Sequence, residues 1–165
     1  MSITSLKTGT TGLSAALDNN YMEPIATTVV GSTSVNSIVF NNIPQIYKHL
    51  QIRAFGRTDR SGGNDGMAFR YNGDFGANYF DHEAKSSGTA TSTYAYANDT
   101  SVGHAAFSTT GYSTSIFGAV VVDILDYASN TKNKTSRSIG GADNNGVTPY
   151  GGVYFDSGCW NNTTP

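Results

Sequence analysis

Ser37–Arg53 reads SIVFNNIPQIYKHLQIR, and the order of residue types in it sets the fold class. Ser37–Phe40 is β-branched and aromatic, Asn41-Asn42-Ile43-Pro44 is turn chemistry, and Lys48–Phe55 alternates polar and apolar residues. Pro44 has a fixed φ and no N–H, and it biases Ile43 towards extended geometry, so no helix runs through this join. Leu50, Ile52 and Ala54 point one way, while His49, Gln51 and Arg53 point the other. The stretch predicts a strand, a turn and a half-buried strand, with no catalytic group among them.

The same pattern recurs along the chain. Strands are expected near Pro24–Val30, Val35–Phe40, Lys48–Gly56, Met67–Asn72, Asn78–Lys85, Thr93–Ala97, Val102–Ser108, Ile116–Tyr127, Lys134–Ile139 and Gly152–Phe155. Glycine, asparagine and serine clusters separate them, at the short spacing of an antiparallel sandwich or barrel. No stretch sustains a 3.6-residue period, so helix should be minimal. The strongest strand is Ile116–Tyr127, IFGAVVVDILDY, which is apolar on both faces. That predicts a central strand covered on both sides, or one that continues into an interface through Phe117 and Val121. Asp123 then needs a partner, and Arg53 and Arg137 are the candidates.

The 165 residues suit one domain that buries roughly 70% of its unfolded surface. Only 13% of residues are charged, about half the usual share, and hydroxyl and amide residues fill the gap. A net charge of −2 gives no electrostatic footprint for nucleic acid, and Lys132–Arg137 reads as a solvated turn and strand face. Met1–Gly9 holds no apolar core of signal-peptide length, and no run approaches the roughly 20 apolar residues that span a bilayer. Synthesis in the cytoplasm, without a membrane anchor, is the expectation.

Residues 1–22 differ from the rest of the chain. SLKTGTTGLSAALDNN is small, polar and glycine-containing, too weak to fold alone. Yet Ile3, Leu6, Leu13 and Leu17 are apolar at spacings for which a solvated tail has no use. They predict an arm that orders on a neighbouring subunit, ahead of a β domain over residues 23–165.

The groups that could carry chemistry point mostly to structure. Asp59–Gly66 lacks the ligand order and closing glutamate of a calcium loop and reads as a hairpin loop. Asp81-His82-Glu83 on a strand puts both carboxylates on one face and the histidine on the other, so the three cannot converge alone. A single cysteine, Cys159, excludes an intrachain disulfide and reads as a small buried hydrophobe. One cysteine and three histidines do not make a zinc site without carboxylate help. Tyr94, Tyr96, Tyr112, Tyr150 and Tyr154 are candidates for packing, for a protein interface or for glycan stacking. No nucleophile elbow, zinc-protease, phosphate-loop or dinucleotide motif is present. Neither cofactor nor metal is expected, and no catalytic residue is assigned.

IATTVVGS…SIVFNNIPQIYKHLQIR, then RYNGDFGANY, then VVDILDYASNTKNKTSRSIGG resembles a group of small virion proteins of tailed bacteriophages, particularly marine and cyanobacterial ones. The opening SLKTGTTGLS is similar to the leader that often precedes this domain in them. The resemblance covers nearly the whole chain. It implies an all-β, antiparallel, jelly-roll-like β-sandwich with an extended N-terminal arm, and a non-enzymatic role on a virus particle as capsid decoration, head fibre or tail appendage. Its partners would be the major capsid protein or tail proteins, with further copies of the chain in a homo-oligomer, by precedent a trimer. A receptor- or glycan-binding module of a tail fibre, facing a host surface glycan, is the alternative. Members of this group usually continue past Trp160 into one or two more strands, so the stop at Pro165 predicts an open sheet edge.

Overall fold

The computed structural model describes residues 22–63, 65–87, 90–144 and 151–165. The chain divides into two units, Met1–Ile43 and Pro44–Pro165. In the first, residues 22–43 form neither helix nor strand. The strands expected at Pro24–Val30 and Val35–Phe40 are therefore absent. Val29 and Val39 are exposed there, and β propensity makes a strand only where a ladder partner and a covered face are supplied.

In the second unit, eight strands follow in order: β1 (Leu50–Gly56), β2 (Asp65–Phe69), β3 (Tyr79–Ser87), β4 (Ala90–Asp99), β5 (Val102–Phe107), β6 (Gly118–Leu125), β7 (Lys134–Asp143) and β8 (Gly151–Trp160). They build two antiparallel sheets, one of six strands in the order β1-β6-β7-β8-β3-β4 and one of two, β2-β5. No helix occurs among the described residues. The fold is all-β, as the alternation predicted.

Each of these strands was legible as an extended segment, but β7 runs beyond Ile139 through Gly140-Gly141, and β8 starts at Gly151 and runs beyond Phe155 to Trp160. Glycine ordinarily weakens a strand. Here it is required, because a Cβ on Gly141 would lie 2.6 Å from the Gly152 carbonyl oxygen. The open edge expected after Trp160 is also not where the sequence placed it. β8 lies inside the large sheet between β7 and β3, and the edges belong to β1 and β4.

β5 packs across the inner face of β6, β7 and β8. Val102 of β5 is fully buried and sits directly over Gly158 of β8, where a Cβ would come within 2.1 Å of a Val102 methyl. Tyr79 and Trp160 complete this core, with Tyr71 stacked on Trp160 at 5.4 Å between centroids. The connection from β2 to β3 is locked to it through Asp74. That carboxylate accepts from Trp160 Nε1 at 2.7 Å, Asn78 Nδ2 at 2.9 Å and the Gly76 amide at 2.7 Å. These donors, led by the indole, hold the Asp74 carboxyl below the usual carboxylate range.

Candidate functional site

The outer face of the six-stranded sheet exposes large apolar side chains. Directly paired residues share a face, so the ladder register can be read as rows crossing the sheet. One row runs Phe55, Ala119, Gly141, Val153 and the next Arg53, Val121, Ile139, Phe155, Ala84. Phe117, just ahead of β6, stacks on Phe55 at 5.2 Å between ring centroids. The two rows form an apolar band about 19 Å across, at roughly 4.8 Å per strand. Phe55 is 74% exposed, Phe155 52% and Ile139 51%.

The opposite face of β7 and β8 is more polar than the band. Ser136, Ser138 and Asp156 are buried there, and Ser138 Oγ donates to Asp156 Oδ2 at 2.8 Å. Lys134 is buried as well, its ammonium donating to the carbonyls of Ser129, Lys132 (3.1 Å) and Thr163 (3.3 Å). Burial pushes the Lys134 pKa down. A slip of one residue would exchange the two faces of these strands. Tyr154, Gly158 and Trp160 fix the observed register, because the core beneath β5 is built on them.

A polar row borders the band: Gln51, Asp123, Arg137, Ser157 and His82. Arg53 Nε donates to Gln51 Oε1 at 2.7 Å, Gln51 Nε2 to Asp123 Oδ1 at 2.8 Å and Arg137 Nε to Asp123 Oδ2 at 3.3 Å. Of the two cations proposed for Asp123, Arg137 is the one paired with it. The carboxylate is half-buried at the surface rather than enclosed. Among the described residues β6 is accordingly covered on one side only: Val120, Val122 and Ile124 are buried, while Val121 and Leu125 are partly open. Where β8, β3 and β4 meet, small side chains at Ala84, Thr93, Ala95 and Ser157 leave a shallow depression beside Phe155 and His82.

Of the six residues expected at a partner interface, Phe117 and Val121 lie on this band. Ile3, Leu6, Leu13 and Leu17 lie outside the described residues. Phe55, Ile139, Val153 and Phe155 lie on the band too and were not singled out from the sequence. The signal was present in the alternation of Val153-Tyr154-Phe155-Asp156, but that pattern leaves open which alternate set faces inward.

The remaining candidates stay apart. Asp81 is buried on the inner face and accepts the Gly103 amide at 2.9 Å, tying the large sheet to β5. His82 points outward, and Glu83 pairs with Lys85 at 3.0 Å. In the Asp59–Gly66 loop, Asp65 pairs with Arg60 at 3.1 Å, and Asn64 lies outside the described residues. Among the described residues no three histidine, cysteine or acidic side chains gather as metal ligands. Cys159 is half-buried, and desolvation raises its thiol pKa, which lowers its thiolate fraction. Tyr94 and Tyr96 lie parallel at 6.3 Å between centroids, with the Lys85 ammonium 4.6 Å from the Tyr94 centroid. Tyr112 and Tyr154 are buried, and Tyr150 lies outside the described residues. Among the described residues no helix is long and apolar enough to cross a membrane. No protein family, curated protein or solved structure matches the chain.

Proposed function

We propose that this chain is a non-enzymatic structural protein of a tailed-bacteriophage particle, decorating the capsid or forming a small appendage on it. The observation that carries the reading is the band on the outer sheet face. A sheet that exposes Phe55, Ile139 and Phe155 while burying Ser138 and Asp156 has one apolar face in excess of its own core. Contiguous exposed apolar surface of this kind marks a contact with another molecule. The resemblance of the quoted motifs to small virion proteins supplies the setting, the jelly-roll topology and the preference for a trimer. In this reading the chain acts in the virion, meeting the major capsid protein or tail proteins and other copies of itself. Residues 1–22, through Ile3, Leu6, Leu13 and Leu17, add a tether.

Particles of the phage that encodes the chain should contain it at a fixed stoichiometry by gel and mass spectrometry. The double variant Ile139→Asp, Phe155→Asp should remain folded, because both side chains point outward, yet fail to sediment with particles that lack the native protein. Unimpaired attachment of that variant removes the band from the reading. Specific retention of the isolated chain on a glycan array would transfer it to the class of receptor-binding modules.

A further inference from the structure

β4 is a second, separate surface built for contact. It ends the large sheet, and among the described residues its ladder partner is β3 alone. It is ten residues long, ATSTYAYAND, and every position except Ser92 is exposed. Soluble proteins ordinarily blunt such an edge with lysine, proline, a bulge or simple shortness. The opposite edge, β1, follows that habit, with seven residues and Arg53 among them. β4 does so only at its far end, where Asn98 (φ 58°) forms a bulge against β3; the stretch Ala90–Ala97 is regular and has neither proline nor charge.

The strand is also held ready. On its inner face the Lys85 ammonium, the Tyr94 ring and the Tyr96 ring lie in succession along the strand, and Glu83 pairs with Lys85. This ladder fixes the side chains of an edge before any partner arrives, which lowers the entropy lost on pairing.

We infer that β4 pairs antiparallel with β4 of a second copy about a two-fold axis through Ala95, joining two large sheets into one. A strand edge is its own complement in that arrangement, and the contact is isologous. The occupant follows from charge and side-chain fit. Tyr94 falls opposite Tyr96 of the second copy, an aromatic cross-strand pair on each side of the axis. Thr93 falls opposite Ala97, the last residue before the bulge at Asn98. The regular stretch Ala90–Ala97 carries no charge, so no like charges oppose in it. On the outer face the small residues Thr93, Ala95 and Ala97 let the backbones come together without obstruction. The contact does not involve the apolar band, so it stands or falls independently of the virion reading.

Cross-linking in a Cys159→Ser background tests both the pairing and its register. Directly opposed residues in an antiparallel pair have Cα atoms about 4.5–5.5 Å apart, within reach of a disulfide. Ala95→Cys should therefore give a covalent dimer on mild oxidation of the purified chain. Thr93→Cys should give none alone, but should give one when mixed with Ala97→Cys. Folding of each variant is read from Trp160 fluorescence. No dimer from Ala95→Cys, or equal yields from Ala95→Cys and Thr93→Cys, overturns the inference. Adding Ile139→Asp and Phe155→Asp should leave the Ala95→Cys dimer in place, which separates this contact from the outer band.

Discussion

Val102 and Gly158 show how much of this fold rests on single atoms. A methyl group on Gly158 would overlap a Val102 methyl carbon at 2.1 Å, and neither side of the contact has open space, because Val102 is fully buried. Gly158→Ala should therefore destabilise the chain by about 1–3 kcal/mol, the usual cost of overpacking. Urea denaturation checks this, and Val102→Ala in the same chain should recover part of the loss. Simple additivity of the two substitutions would refute the contact. Nothing in the sequence singled out this glycine. Glycine is frequent in the chain, 19 of 165 residues, and which ones face a neighbouring layer depends on how β5 crosses β8, a long-range fact that local pattern does not contain.

Elements were more legible than their contacts. Alternation identified β1 and β6, because there the apolar set Leu50-Ile52-Ala54 or Val120-Val122-Ile124 goes inward as a group. It failed at Ser37–Phe40, where β-branched and aromatic residues have no ladder partner. It was undecided on β8, where the inward set mixes Tyr154, Asp156, Gly158 and Trp160. That mixture placed the outer band beyond the reach of sequence reading, apart from Phe117 and Val121. The β2–β3 connection carries a prediction of its own. Asp74 has a carboxyl pKa lowered by the folded state, first through the Trp160 indole N–H. Its contribution to stability is present above the ordinary carboxylate value and is lost as pH falls through the lower folded value. The chain has one tryptophan, so acid titration followed by its fluorescence should report this loss directly. Asp74→Asn should flatten the acid limb of the stability curve, and an unchanged limb would assign acid sensitivity to other carboxylates.

At the scale of the whole molecule, the alkaline side is set by buried phenols. Burial is the chief cause that pushes Tyr71 up to about 12, with Tyr79 and Cys159 adding to it; burial likewise leads for Tyr112, also at about 12, with Tyr154 and Asp143 adding. A raised phenol pKa in the fold means stability present below the ordinary value near 10 and lost as pH rises towards the folded value. Spectrophotometric titration at 295 nm should show exposed tyrosines ionising first, then a late group that ionises together with loss of the fold. A single smooth titration of all 10 tyrosines in a chain that stays folded would contradict this. The strand order has a further consequence, for the ribosome. β8 is the last of the described strands to be synthesised, yet it joins β1-β6-β7 to β3-β4. Until it emerges, the nascent chain holds two half-sheets with unpaired edges and an unfilled place where Trp160 will sit. The six-stranded sheet can therefore close only once β8 is free to pair on both sides, and a chain that lacks β8 keeps the facing edges of β7 and β3 open.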